Sequence, residues 1–118
     1  MSNITKIQTT GLIDGERKIP PADRVLEGAP VTTVWSQADC SNGKVRVGIA
    51  EATEGKTISI KGELCEVVHL LEGVIELTEE SGDTTRFQAG DIFVMKPGFI
   101  GTWKTIEKAK KSFVVITP

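Results

Sequence analysis

The sequence predicts an all-β domain folded as a barrel or sandwich, and three observations carry that prediction. From Val31 onward, short segments rich in Val, Ile and Thr recur, several alternating apolar with polar residues. Gly43, Gly55, Gly62, Gly73, Gly82, Gly90 and Gly98 divide these segments at the cadence of strand–turn–strand chains. No segment carries a helical apolar stripe, which disfavours crossover helices and α/β layering. The 118 residues suit one domain, long enough to bury a core without a disulfide or a metal.

Residues 1–30 are expected to form an extended N-terminal arm, because Gly11, Gly15, Pro20, Pro21, Gly28 and Pro30 punctuate them. They leave room for at most one short strand, at Ile4–Gln8, and for one turn of helix within Pro21–Glu27 that Gly28 and Pro30 stop. Residues 31–118 are expected to form the single barrel domain. Val31–Ser36 opens it. Val45, Val47 and Ile49 then alternate with Arg46, Gly48 and Ala50, and Ile58 and Ile60 alternate with Thr57, Ser59 and Lys61. Further strands are expected at Glu66–Glu72, Val74–Thr78, Thr84–Gln88, Asp91–Lys96, Gly101–Ile106 and Ser112–Thr117. Glu107–Lys111 is the helix candidate of this half, too short to stand alone. The expected core is Val47, Ile49, Ile58, Ile60, Val68, Leu70, Ile75, Leu77, Phe93, Val94, Phe113 and Val115.

Charge and composition exclude several functions. Fourteen basic and 16 acidic residues give a net charge of −2, so a basic nucleic-acid surface is not expected. Lys104, Lys108, Lys110 and Lys111, interleaved with Glu107, look like a solvated face. No apolar run is long enough to span a bilayer as a helix, and residues 1–6 lack the pattern of a secretion signal. Two cysteines, Cys40 and Cys65, make no disulfide framework, and a cytoplasmic location is the simplest setting.

Two segments are more specific. One is Glu66-Val67-Val68-His69-Leu70-Leu71-Glu72-Gly73, followed by a strand and Ser81-Gly82-Asp83. The other runs from Phe87 through Gly90-Asp91-Ile92-Phe93-Val94 and Pro97-Gly98 to Gly101-Thr102-Trp103. Together they resemble the two motifs of the cupin superfamily, and in detail the small single-domain cupins grouped with the ureidoglycine aminohydrolase cupin domain. The resemblance covers roughly Pro20 to Pro118 and implies a double-stranded β-helix, or jelly-roll barrel. Local physics agrees at several points. Asp91 suits a turn closed by side-chain-to-backbone hydrogen bonding, and Gly101 leaves room for close approach of another backbone or of a ligand.

The resemblance also implies where a metal would sit: two histidines one residue apart, a glutamate shortly after, and a third histidine in the second motif. Glu66 falls on the glutamate position. The histidine positions fall on Ser59 and Lys61, or on Ile60 and Gly62, with the third on Gly101. None is a usual transition-metal ligand, so no metal and no other cofactor is expected. His69 stands an odd number of residues from Glu66 and so points to the opposite face of a strand, as does Cys65 unless a bulge intervenes. His69 is therefore read as a packing or subunit-contact residue.

Glu66 is the candidate catalytic residue, within a ligand pocket formed by Glu66, Lys61, Arg46, Phe99 and Trp103. If Lys61 is its inward neighbour, the two form a buried ammonium–carboxylate pair. In the other register Glu66 sits among Ile58, Ile60, Val68 and aromatic residues, where desolvation raises its pKa and suits it to acid–base work. A third alternative ties it to backbone or to Arg46 without chemistry. Trp103, Trp35 and Phe99 are placed near the barrel mouth, as core or as pocket wall.

Three functions remain open from the sequence. One is a metal-independent cupin binding a small polar or carboxylated metabolite, with any chemistry resting on Glu66. Another is an enzyme of the ureidoglycine aminohydrolase type, for which the resemblance implies manganese. The third is a non-catalytic interaction or regulatory module. A homodimer is expected, through Val67, His69 and Leu71 on the face opposite Glu66. It is expected to weaken below about pH 6, where an imidazole charges.

Overall fold

A computed structural model of the chain describes residues 2–118, and its Val-, Ile- and Thr-rich segments form strands. The elements are β1 (Glu16–Lys18), a 3-10 turn at Ala22–Arg24, β2 (Val25–Gly28), β3 (Thr32–Cys40), β4 (Val45–Ala52), β5 (Gly55–Ile60), β6 (Cys65–Glu79), β7 (Thr84–Gln88), β8 (Ile92–Met95) and β9 (Ile100–Ile116). All pairings are antiparallel, and β9 is the hub. It pairs with β4 and β5 along one edge and with β6 along the other, while β6 also takes β7 and β8. The all-β jelly-roll expectation holds. No helix among the described residues is long and apolar enough to cross a membrane.

Four segments expected as separate strands merge into two long ones. Glu66–Glu72 and Val74–Thr78 join in the 15-residue β6, and Gly101–Ile106 and Ser112–Thr117 join in the 17-residue β9. Gly73 marks a bend rather than a break. It holds a positive φ of 92°, and a Cβ there would collide with the Lys108 carbonyl. The β6–β9 register shifts on either side of it, so bulges curve both strands without ending them. Glu107–Lys111, the helix candidate too short to stand alone, is strand. Ala109–Lys111 pairs with Ala52–Ala50 of β4, and Lys110 and Lys111 with Glu72 and Leu70 of β6. Sheet hydrogen bonds on both sides leave no gain in closing an isolated helical turn.

The N-terminal region also differs from expectation. Ile4–Gln8 forms no strand. Gln8 instead exchanges hydrogen bonds with the Gln37 side chain, its N–H donating to Oε1 at 2.7 Å and its carbonyl accepting from Nε2 at 2.8 Å. Residues 16–28 contribute β1 against β3 and β2 against β5.

Of the expected core, Ile49, Val68, Leu70, Ile75, Leu77 and Phe113 are buried, joined by Met95. Val47, Ile58, Phe93 and Val115 are half-buried. Ile60 (49% exposed) and Val94 (51%) are not core. Phe93 and Val94 are adjacent on a strand and cannot face the same way; Phe93 packs on the core cluster, so Val94 faces out. Ile60 is turned out because Thr57, Ser59 and Lys61 take the inward parity of β5, leaving Ile60 beside exposed Ile100. Asp91 closes its turn as expected, Oδ2 accepting from Gln88 N–H at 2.9 Å.

Candidate functional site

Alternation on β6 turns Glu66, Val68 and Leu70 inward together, and all three are buried. On β9, Lys111 pairs with Leu70 and Phe113 with Val68, so Lys111 enters the same interior. Lys61, just after β5, approaches from the other side. Its Nζ donates to Glu66 Oε1 at 2.7 Å, and Lys111 Nζ donates to Oε2 at 2.7 Å. Each carboxylate oxygen thus holds its own ammonium. Both lysines are largely enclosed, at 18% and 20% side-chain exposure.

Aromatic rings complete the surroundings. Lys111 Nζ lies 4.6 Å from the centroid of the Trp103 ring, a cation–π contact. Trp103 is 6.0 Å from Phe93, which stacks on Phe87 at 4.1 Å. Trp103 Nε1 donates to the buried Thr105 hydroxyl at 3.2 Å, fixing the indole plane.

Burial by itself would raise the pKa of Glu66. The Lys111 and Lys61 charges, with their hydrogen bonds, outweigh it and lower the pKa to about 2. Glu66 is therefore an ionised carboxylate at neutral pH with both oxygens engaged, and the ammonium–carboxylate alternative is the one the fold adopts. The raised-pKa register among Ile58 and Ile60 is not formed.

A cavity of about 190 Å³ opens beside Lys111. Thr57, Ser59 and Thr105 line it with Lys111, Trp103 and Glu51, while Leu70, Ala50, Ala109 and Ile58 supply apolar wall. Glu66 and Lys61 are not part of this wall and reach it only through Lys111.

The expected pocket residues are therefore only partly assembled. Glu66, Lys61 and Trp103 belong to one linked cluster through Lys111. Arg46 is exposed and forms no hydrogen bond or ion pair with Glu66, because β9 lies between them, both pairing with Val115 from opposite edges. Phe99 lies in a separate shallow depression with Val94, Lys96 and Pro97; only its backbone adjoins the cluster, its carbonyl accepting from Lys61 N–H at 2.9 Å. Trp35 is not at the mouth, since its Nε1 donates to the Ile13 carbonyl beneath the N-terminal segment.

The residue the sequence did not single out is Lys111. Alternation could have found it, because an inward Phe113 requires an inward Lys111 if the segment is strand. Treating residues 107–111 as a helical, solvated face hid that parity.

The positions that would carry a metal are poorly suited to one. Lys61 is already bonded to Glu66, and a side chain at Gly101 would meet the Thr78 carbonyl. His69 pairs with Ile92 and Ser112 on the outward parity. Among the described residues, no group of three or more His, Cys, Asp or Glu could hold a metal ion. Cys40 and Cys65 are free.

A curled antiparallel sheet with its polar cluster inside and β6 and β9 at its centre is a cupin arrangement. The family model of the EutQ-like cupin domain matches residues 40–113, more than half of the chain. The chain belongs to the EutQ-like cupin family. Similar solved structures of this EutQ-like cupin include a Pseudomonas syringae protein of unknown function, with TM-score 0.82 and 19% identity over 92% of this chain and 46% of that one. The Clostridium difficile EutQ protein is similar at TM-score 0.66 and 14% identity, over 89% of this chain and 96% of that one. A putative ethanolamine utilization protein Q from Salmonella typhimurium is similar at TM-score 0.63 and 17% identity, over 83% and 77%. At these identities the likeness is one of fold. The chain spans about half the length of the Pseudomonas protein. No curated protein matches it by sequence.

Proposed function

We propose that this EutQ-like cupin binds a small polar or carboxylated metabolite in its barrel without a metal. The observation that supports the reading is the cavity beside Lys111, where an ammonium, an indole and hydroxyl-bearing side chains face about 190 Å³ of space. That size is below the range of about 300 Å³ and upward typical of drug-sized pockets, so the occupant is small. Glu66, held at about 2 with both oxygens bonded, is a poor proton donor or acceptor at neutral pH. Its role is to orient the two lysines. Saturation-transfer NMR of the full chain against a panel of small acids, amides, amines and sugars tests the reading. Binding that is saturable and lost in Thr57→Phe, which fills the cavity, is expected. No binding by any member at millimolar concentration overturns it.

The ureidoglycine aminohydrolase comparison would require manganese. The donor set does not fit, since lysine, serine, isoleucine and glycine stand at the implied histidine positions.

A second reading, a module that associates with other protein surfaces, draws support from the outer face of β6, β8 and β9. Val67 pairs there with Val94 and Val114, beside Ile92, which is 66% exposed. We take the partner to be a second copy of this chain, forming a homodimer in a reducing cytoplasm that suits two free thiols. Light scattering at micromolar concentration checks it, and a monomer overturns it.

A further inference from the structure

The ion cluster around Glu66 carries more positive than negative charge. Lys61 and Lys111 supply two ammonium groups, and Glu66 supplies one carboxylate. A net charge held in a largely enclosed site is costly unless something compensates it. Among the ion pairs of the described residues, neither lysine has a second carboxylate. Glu51 itself lines the cavity with Lys111, but its carboxylate is engaged with Lys108 at 3.7 Å and forms no ion pair with either cluster lysine. The face of Trp103 offsets part of the excess on Lys111 but forms no charge-assisted hydrogen bond. An ammonium has three donors, and Lys111 uses one of them as a hydrogen bond, to Glu66. Lys111 is also the charged member of the cluster that lines the cavity.

Resting on the reading of the cavity as a metabolite site, we infer that its ligand is a small monoanion, a monocarboxylate, which Lys111 contacts directly and whose affinity is set by the net charge of the Lys61–Glu66–Lys111 cluster. A monoanion brings the Lys61–Glu66–Lys111 cluster to neutrality, the Glu51 carboxylate on the cavity wall being paired with Lys108. A neutral ligand leaves the excess charge in place, a cation adds to it, and a dianion overshoots. The cavity volume of about 190 Å³ is the share of roughly six waters, so the part of the ligand it holds is about six to eight non-hydrogen atoms. One consequence runs against the usual expectation for a buried acid in a binding site. Glu66 positions Lys111 yet competes with the ligand for it, so removing the Glu66 charge strengthens anion binding. Lys61, which does not line the cavity, supports binding through its charge alone.

Isothermal titration of the full chain at pH 7 with butanoate, butanamide and butylamine tests the inference, with thermal melts to establish that each variant is folded. Butanoate is expected to bind at least about tenfold more tightly than butanamide, and butylamine not to bind. Lys61→Gln, which leaves a neutral Glu66–Lys111 pair, is expected to weaken butanoate about tenfold. The double variant Lys61→Gln/Glu66→Gln returns the cluster to one positive charge, on Lys111, and is expected to recover binding. Lys111→Gln/Glu66→Gln also carries one positive charge, but on Lys61, and is expected not to recover it. Glu66→Gln alone is expected to tighten butanoate. It leaves two unpaired ammonium groups, so if it does not fold the pair of double variants still decides the matter. Butanamide binding as tightly as butanoate, or Lys61→Gln binding like wild type, or both double variants behaving alike, overturns the inference while leaving a metabolite site intact. Failure of all three probes together with the whole panel of small metabolites overturns the site itself.

Discussion

The two faces of β6 differ in where they carry charge: the inner face, apolar at Val68, Leu70, Ile75 and Leu77, also holds one buried ion cluster. The inward face carries Glu66 beside Lys61 and Lys111, and the outward face carries Val67 and Leu71 around His69, next to exposed Ile92 and Val94 on β8. Sheets with one wet face ordinarily put apolar residues in and polar residues out. The inner face tolerates charge because each Glu66 oxygen has its own ammonium and Trp103 covers one of them. The outer face has no equivalent compensation in a single copy. The charges inside are held by partners supplied from two other segments, whereas Ile92 and Val94 outside stay exposed in the single chain.

A loss of several kcal/mol is expected where the inner face of β6 joins the core. Leu70 is fully buried and borders both the core cluster and the cavity, so Leu70→Ala should cost about 2–5 kcal/mol by urea unfolding. A loss below about 1 kcal/mol would show the inner face to be loosely packed.

Glu66→Gln should cost about 3–5 kcal/mol, because it leaves buried ammonium groups unpaired. Replacing the whole cluster, as in Lys61→Met/Glu66→Leu/Lys111→Met, should be close to neutral or stabilising. A triple variant as unstable as Glu66→Gln would show that the cluster contributes net stability rather than site geometry.

The same three-residue cluster fixes the acid limit. Glu66 has its pKa lowered from 4.5 to about 2 on folding, so its contribution is complete above about pH 4.5 and is lost as pH falls toward 2. The loss is on the order of 3 kcal/mol, and chemical denaturation between pH 5 and 2 measures it. In the Glu66→Gln variant that part of the acid dependence should disappear.

The smallest change in stability, with a clear change in mass, is expected on the outer face. Ile92→Lys/Val94→Lys should alter monomer stability by about 0.5 kcal/mol or less, since both residues are exposed. It should convert a dimer to a monomer in light scattering. A dimer that survives both lysines would place the interface elsewhere.

Alternation in the sequence already separated these faces. Glu66, Val68 and Leu70 were expected on one side, with Val67, His69 and Leu71 on the other, because side chains on a strand alternate with period two. The signal failed where two adjacent residues both suited a core, as at Phe93 and Val94. It failed again where the apolar members of a strand, Ile58 and Ile60, were assumed to be the inward ones. Arg46 and Phe99 were expected in the pocket from residue type alone, and type does not locate a side chain.

Local composition and parity set the β class, most strand positions and the lack of a histidine ligand set, and they put Glu66 on the face opposite His69 without saying which face is inward. Only the tertiary structure decided that residues 107–111 are strand, that Lys111 rather than Arg46 completes the site, and that Lys61 faces Glu66. Those outcomes depend on sheet register between segments as much as 45 residues apart, from Glu66 to Lys111. Register is set by pairing across the whole barrel, with bulges around Gly73 shifting it along the way.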